Sequence, residues 1–200
     1  VAAKELERQL GVTYKCAWRI AHELRKLMAA ADHQGPLSGD VELDDTHIGG
    51  YQARTDRRKK GTNKTVVFGI IERNGMMRAG PIEKVEGRFA ARAVLQNVKL
   101  GSRLITDEWT GYWALDPFYK RESVNHHQKE YVRGTIHTNT IEGHWSQLKR
   151  SIRGTHVHVS GKHLWKYVSE FSYRRNFRHC HHNMFSRLVA SLSLPRPAET

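Results

Sequence analysis

Three acidic residues stand where their surroundings give them little ordinary purpose. Asp44 lies inside the apolar run VELDDTHI, where a carboxylate facing a core costs several kcal/mol unless it is paired or metal-bound. Asp107 follows the apolar segment SRLIT, at a strand end, where α/β sheets place ligand-binding groups. Glu142 falls in the first turn of a helix that begins near Asn139. Sixty-two residues separate the first pair and 34 the second, so nothing local ties them together. Carboxylates from two neighbouring strands and a helix can converge on two hard divalent cations about 4 Å apart. Such a pair activates water or a 3′-hydroxyl and stabilises the leaving oxygen when a phosphodiester is cleaved or transferred.

Each acid also has a plain structural account. Asp44 and Asp45 suit a strand edge blunted by charge. Asp107 with Glu108 suits a cap for the following segment, and Asn139 with Glu142 three residues on is a capping box. Singly none is diagnostic; the case rests on all three in this order of elements. The choice between Asp44 and Asp45 stays open, because Glu42 and Asp44 share one strand face while Val41, Leu43 and Asp45 share the other, and a buried central strand is apolar on both.

The elements that must position these acids follow from periodicity. Val41 to Ile48 reads as a strand ended by Gly49-Gly50. Lys64 to Glu72, with its run VVFGII, is a second, and Asn74-Gly75 turns it into a third over Met77 to Val85. Gly87 to Val98 is a helix with Phe89, Ala93, Val94 and Val98 as its apolar positions. Ser102 to Thr106 is a short buried strand, Tyr112 to Tyr119 is helical or irregular, and Ser123 to Val132 is a candidate fifth strand. The last third is helical, over Asn139 to Arg153, Lys162 to Asn176 and His182 to Leu192. Three antiparallel strands followed by alternating elements is the outline of a ribonuclease-H-like α/β fold, a mixed five-stranded sheet flanked by helices.

Ahead of it, Ala3 to Leu10 and about Tyr14 to Met28 read as two helices joined through Gly11, with Ala17, Ile20, Leu24 and Met28 at helical spacing. Helix, short turn, helix is the outline of a helix-turn-helix, with Tyr14, Lys15 and Arg19 pointing outward where a recognition helix meets DNA. The expected organisation is a helix-turn-helix segment over 1–30, a linker over 31–40 and a catalytic domain over 41–200.

Charge narrows the partner. Thirty-three Lys and Arg against 20 Asp and Glu leave +13, and a polyanion is the natural counterpart. The loop Tyr51 to Asn63 carries Arg57, Arg58, Lys59 and Lys60, which suit phosphate contacts. From Arg133 to Arg178 nine Lys or Arg, Arg150 and Arg153 among them, face two Glu, interleaved with Trp145, Trp165, Tyr167 and Tyr173; exposed aromatics there could stack on an unpaired base. No stretch nears the length of a membrane span, and VAAKELERQL lacks the apolar run of a signal peptide. Two cysteines, Cys16 and Cys180, exclude a disulfide framework and point to a reducing cytoplasm. The cluster His179-Cys180-His181-His182 lacks the second ligand pair that a structural zinc site needs. No motif for a small-molecule substrate, a phosphate-cradling loop or a serine hydrolase occurs.

The pieces VELDDTHIGG, LITDEWTGY and HTNTIEGHWSQLKRSIRGTHVHVSGKHLWKYVSEFSYRRNFR resemble bacterial insertion-sequence transposases of the DDE type, in the ISXO-type branch. The resemblance runs over roughly the whole chain. It implies that Asp44, Asp107 and Glu142 hold two Mg2+ or Mn2+ ions, and that Lys149, seven residues after Glu142 and on the same helix face, contacts the DNA end. It implies double-stranded DNA as substrate, both element ends and target, and a homodimer or larger synaptic assembly. The chain departs from its relatives at Asp45 and His47, where Glu and Tyr are common. The cysteine-rich zinc ribbon that usually precedes the first helices is absent, and the chain opens on Val1, so a fragment or trimmed domain is expected. A nuclease without strand transfer and a non-catalytic DNA-binding regulator are the competing readings.

Overall fold

Strand β1 (Asp40–Gly49) is central because both its edges are taken. β2 (Lys64–Glu72) pairs with it antiparallel, and β3 (Met77–Ile82) pairs antiparallel with β2. The reversal between β2 and β3 puts Asn74 at φ 60°, a left-handed conformation that Asn tolerates better than most residues. On the other edge β4 (Arg103–Thr106) runs parallel to β1, and β5 (Lys120–Ser123) parallel to β4. The order β3-β2-β1-β4-β5, three antiparallel strands and then two parallel ones, is the ribonuclease-H-like arrangement. The computed structural model describes residues 2–32, 35–49, 64–83, 86–124 and 132–194. The chain divides into two compact units, residues 35–149 and residues 1–34 with 150–200.

In the first unit, strand alternation assigns the two faces of the sheet. Val41 and Leu43 of β1, Phe68 and Ile70 of β2 and Leu104 of β4 form one core with Ala90 and Val94 of α3 (Gly87–Asn97) and with Tyr112 and Leu115 of a 3-10 turn (Thr110–Leu115). Glu42 and Asp44 point to the other face, where α4 (Asn139–Ser151) buries Ile141, Trp145 and Leu148. The fifth strand is Lys120–Ser123 rather than Ser123 to Val132. Its residues are polar and it is fixed by ion pairs, Arg103 to Glu122 at 2.6 Å and Arg121 to Asp116 at 2.7 Å, so apolar periodicity carries no trace of it. Residues 125–131 of the expected strand lie outside the described residues.

In the second unit, α1 (Ala3–Leu10) ends at Gly11 with φ 63°, and α2 (Tyr14–Ala31) opens on Thr13, whose Oγ1 accepts the Cys16 N–H at 3.3 Å. After a π-helical turn (Ile152–His156) follow α5 (Gly161–Asn176) and α6 (His181–Ala190). These last helices group with α1 and α2 rather than with the sheet. The buried side of α2 also differs from the one expected. Ala17, Ala21, His22, Arg25 and Leu27 are buried, while Ile20 and Leu24 line an open groove of about 600 Å3.

The reason is that α5 supplies polar partners. Arg25 Nε donates to Glu170 at 2.7 Å with both side chains largely buried, and its guanidinium lies 4.1 Å over the Tyr167 ring. His22 Nε2 and the Tyr167 hydroxyl are 3.3 Å apart. Burial pushes the Glu170 carboxyl up, but Arg25 and Arg174 outweigh it and hold the group below its ordinary value. Replacing Arg25 with Met leaves that carboxylate buried beside one exposed arginine. The expected loss in urea unfolding is about 3 kcal/mol, with most of it restored in the Arg25→Met/Glu170→Leu double variant; a loss under about 1 kcal/mol would mean that the pair behaves as a surface ion pair.

Candidate active site

The pairing of β1 with β4 places two of the three acids. Glu42 is level with Ile105, and continuing that parallel register by two residues sets Asp44 level with Asp107, one residue beyond the end of β4. Asp107 is held by its own turn, Oδ1 accepting the Trp109 N–H at 3.1 Å. The third acid comes from α4, whose axis is fixed to the same sheet face. Glu142 lies in its first turn, exposed, with Oε1 accepting the buried Thr138 hydroxyl at 2.6 Å.

Asp44 is joined to α4 directly. Trp145 Nε1 donates to Asp44 Oδ2 at 3.0 Å, and the Asp45 N–H donates to Oδ1 at 2.8 Å. The indole reaches across because Asp44 is paired in register with Gly69 of β2. A Cβ there would stand 2.5 Å from Trp145 Cζ2 and 3.1 Å from Ile141 Cδ1. Gly69 is thus the recess into which the ring fits.

The electrostatics report that the acids share one field. Burial pushes the Asp44 carboxyl up to about 7; the Asp45 N–H bond opposes this, and the negative charges of Asp45, Asp107 and Glu142 add to it. Asp45 is also raised, by burial first, with His47 opposing and Asp107 adding. Tyr112, packed beneath, is raised by burial and by Asp107, Asp45 and Asp44. Among the described residues, no group of three or more His, Cys, Asp or Glu is drawn closely enough together to enclose a metal ion. The donor set nevertheless suits a hard divalent cation: all its atoms are carboxylate oxygens, and they repel one another. An oxygen accepting one hydrogen bond keeps a lone pair for a cation, so the bonds from Trp145, Trp109 and Thr138 orient the carboxylates without using them up.

The sequence pattern of the ISXO2-like transposase domain matches residues 36–176, most of the chain. The chain belongs to that transposase family. A protein of the transposable element ISH50 from Halobacterium salinarum is 30% identical over 190 residues, covering 86% of this chain and 63% of the relative. The chain therefore spans under two thirds of that relative's length. Two solved structures are similar at low identity. The HTLV-2 integrase catalytic core domain, in a dimeric form with magnesium, is 13% identical at a TM-score of 0.42, over 70% of this chain and 87% of that one. A simian T-cell lymphotropic virus intasome is 14% identical at a TM-score of 0.48, over 96% of this chain and 73% of that one.

In this ISXO2-like transposase domain the other sequence candidates fall as follows. Lys149 is half-buried on α4, two turns from Glu142, while Arg150 and Arg153 are exposed. Tyr14, Lys15 and Arg19 are exposed on α2. Arg57, Arg58, Lys59 and Lys60 lie outside the described residues. No helix of the described residues is long and apolar enough to cross a membrane.

Two features of the sequence take a definite place. Trp145 and Tyr173 are buried and not available to stack on a base; Trp145 serves Asp44 instead. Asn139 lies inside α4 rather than ahead of it: the Glu142 N–H donates to the Thr138 carbonyl, and the Ile141 N–H donates to Glu42 Oε2 at 3.1 Å. Glu42, Trp145, Gly69 and Thr138 were not identifiable as site residues beforehand. The one trace in sequence was a second acid, Glu42, sharing the Asp44 face.

Two outcomes follow from this geometry. Because the folded value of Asp44 exceeds its ordinary 3.8, ionising it opposes folding. The cost is absent below pH 4, grows as pH rises to 7 and is complete above it. Without divalent cations, Asp44→Asn is expected to melt several degrees above the unaltered protein at pH 8 and to converge with it near pH 4. The gain is bounded by about 4 kcal/mol, less what water reaching the group screens. A difference from the unaltered protein no larger at pH 8 than at pH 4 counts against a carboxyl raised by burial and by its acidic neighbours. Gly69→Ala forces Trp145 out of its recess, with an expected loss of about 1–3 kcal/mol in denaturant unfolding; an unchanged midpoint would show that the ring is not seated there.

Proposed function

We propose that this chain is the catalytic part of a transposase that cleaves DNA at the ends of its own element and joins the 3′-hydroxyl to a target. Asp44, Asp107 and Glu142 serve as ligands for two divalent cations, Mg2+ or Mn2+. The observation that supports it is the half-buried Asp44 carboxyl, level with Asp107 when the β1–β4 register is continued just past the end of β4, and raised by burial first and then by the charges of Asp45, Asp107 and Glu142. Asp44 is favoured over Asp45 as first ligand because it faces α4, which carries Glu142, while Asp45 answers to His47, 3.8 Å away.

Bound divalent cations would supply activation of the attacking oxygen and neutralisation of the leaving one. The chain's own groups do the rest. Trp145 and Thr138 hold Asp44 and Glu142 in fixed rotamers by donating to them, as outer-shell donors do around metal ligands. Lys149, on the Glu142 face of α4, meets the phosphate of the DNA end. Tyr14, Lys15, Arg19, Arg150 and Arg153 contact double-stranded DNA, a role that the net charge of +13 favours, with the Arg57–Lys60 run adding phosphate contacts. Joining two element ends to a target requires at least a dimer, and the reaction belongs in the cytoplasm with the chromosome.

The test is a strand-transfer assay with pre-nicked DNA carrying the sequences that flank the protein's own gene. Joined product is expected to require Mg2+ or Mn2+ and to fall by at least about a hundredfold in Glu142→Gln, since losing an outer-shell partner alone costs about 10–100-fold. Cleavage without joining would replace this reading with a nuclease. DNA binding that survives substitution of all three acids, with no reaction in the unaltered protein, would replace it with a regulator.

A further inference from the structure

Two residues before Asp44, on the same face of β1, Glu42 is completely buried in a chain where the reaction gives it no part. A carboxylate so placed needs several partners, and it has them. Arg73 Nε donates to Oε1 at 2.8 Å, the Thr140 hydroxyl donates to Oε1 at 2.8 Å, and the Ile141 backbone N–H donates to Oε2 at 3.1 Å. His137 Nδ1 stands 3.7 Å away. Arg73 also reaches the segment leading into α4, donating to the carbonyls of Thr135 and His137.

Thr140 and Ile141 are in the first turn of α4, immediately before Glu142. A helix N-terminus leaves backbone N–H groups without partners inside the helix, normally met by a side chain just ahead of it in sequence. Here one is met from a strand about a hundred residues earlier. A carboxylate there also suits the positive end of the helix dipole. The rotation and height of the first turn of α4 are thereby set by the strand that carries Asp44, and Glu142 follows.

We propose that Glu42 is a positioning residue: it caps α4 from β1 and holds Glu142 in register with Asp44, so that metal affinity depends on a group that touches neither metal nor DNA. This rests on the reading of Glu142 as a metal ligand. Glu42→Gln keeps the length but turns one acceptor oxygen into a donor, which cannot accept from both Arg73 and the helix. Thr140→Val removes a single hydroxyl and leaves the charge in place.

The experiment titrates Mn2+ by calorimetry into the unaltered chain, Glu42→Gln, Thr140→Val, Glu142→Gln and the Glu42→Gln/Glu142→Gln double variant, each first shown to melt cooperatively. Strand cleavage is measured alongside. Glu42→Gln is expected to weaken Mn2+ binding and lower kcat by about 10–100-fold, with KM for DNA unchanged, and to add nothing to Glu142→Gln because both act through one ligand. Thr140→Val is expected to shift both quantities in the same direction by a smaller factor. Unaltered Mn2+ affinity in a folded Glu42→Gln, or effects that multiply with those of Glu142→Gln, would overturn the positioning role. If Glu42→Gln does not fold, Thr140→Val decides: unchanged affinity there overturns the proposal. A Glu142→Gln that binds Mn2+ like the unaltered chain would instead overturn the ligand reading beneath it.

Discussion

Carboxylates placed inside a sheet have to be compensated, and most of the sheet-bearing unit can be read as the means of doing so. Two of them leave β1 on one face, Glu42 and Asp44, and their treatment is opposite. Glu42 is surrounded by Arg73, a hydroxyl and a backbone N–H at the start of α4. Asp44 receives an indole N–H and its neighbour's amide, forms no ion pair among the described residues, and is raised to about 7 with further carboxylates nearby. Glu42 is compensated by a cation and two hydrogen-bond donors, and Asp44 by hydrogen-bond donors alone among the described residues.

The helix that meets these acids is set by three different kinds of contact. Its start is tied to Glu42, its middle is seated in the recess at Gly69 through Trp145, and its apolar side is filled by Ile141, Trp145 and Leu148. Spacing of three and four residues between those apolar positions is what puts them on one side, with Glu142 and Lys149 exposed or half-buried on another. The opposite face of the sheet is conventional by contrast: Val41, Leu43, Phe68, Ile70 and Leu104 make an apolar core with α3 and the 3-10 turn. Tyr112 is buried in that core, and its hydroxyl is raised by burial first and then by the charges of Asp107, Asp45 and Asp44.

The helical unit uses another logic. Its central contact, α2 with α5, is made of Arg25, Glu170, Tyr167, His22, Asn176 and Asp32 as much as of apolar residues. Such contacts are directional, so they fix the facing of two helices more tightly than a smooth apolar stripe would. They also leave Ile20 and Leu24 beside an open groove, and keep Tyr14, Lys15 and Arg19 exposed.

The sequence by itself determined the elements and their order, since strand and helix periods are local. β2 was read to the residue, and β1, α3, β4 and α4 to within one or two at most of their ends; it also marked Asp44, Asp107 and Glu142 and the family they resemble. What it left open was whatever depends on residues far apart in the chain. The choice between Asp44 and Asp45 was undecided because alternation says only that they face opposite ways, and α4 had to be placed before one way acquired a meaning. β5 was missed because its residues are polar and carry no apolar period; the parallel pairing with β4 that holds it comes from the rest of the sheet. The buried side of α2 was misjudged because its partners on α5 are about 145 residues away. Glu42 looked like a strand acid until the tertiary structure brought Ile141 to it, 99 residues later. Local propensity writes the elements; which polar groups meet across them is decided only when the chain closes, because a hydrogen bond depends on position in space and not on distance along the sequence.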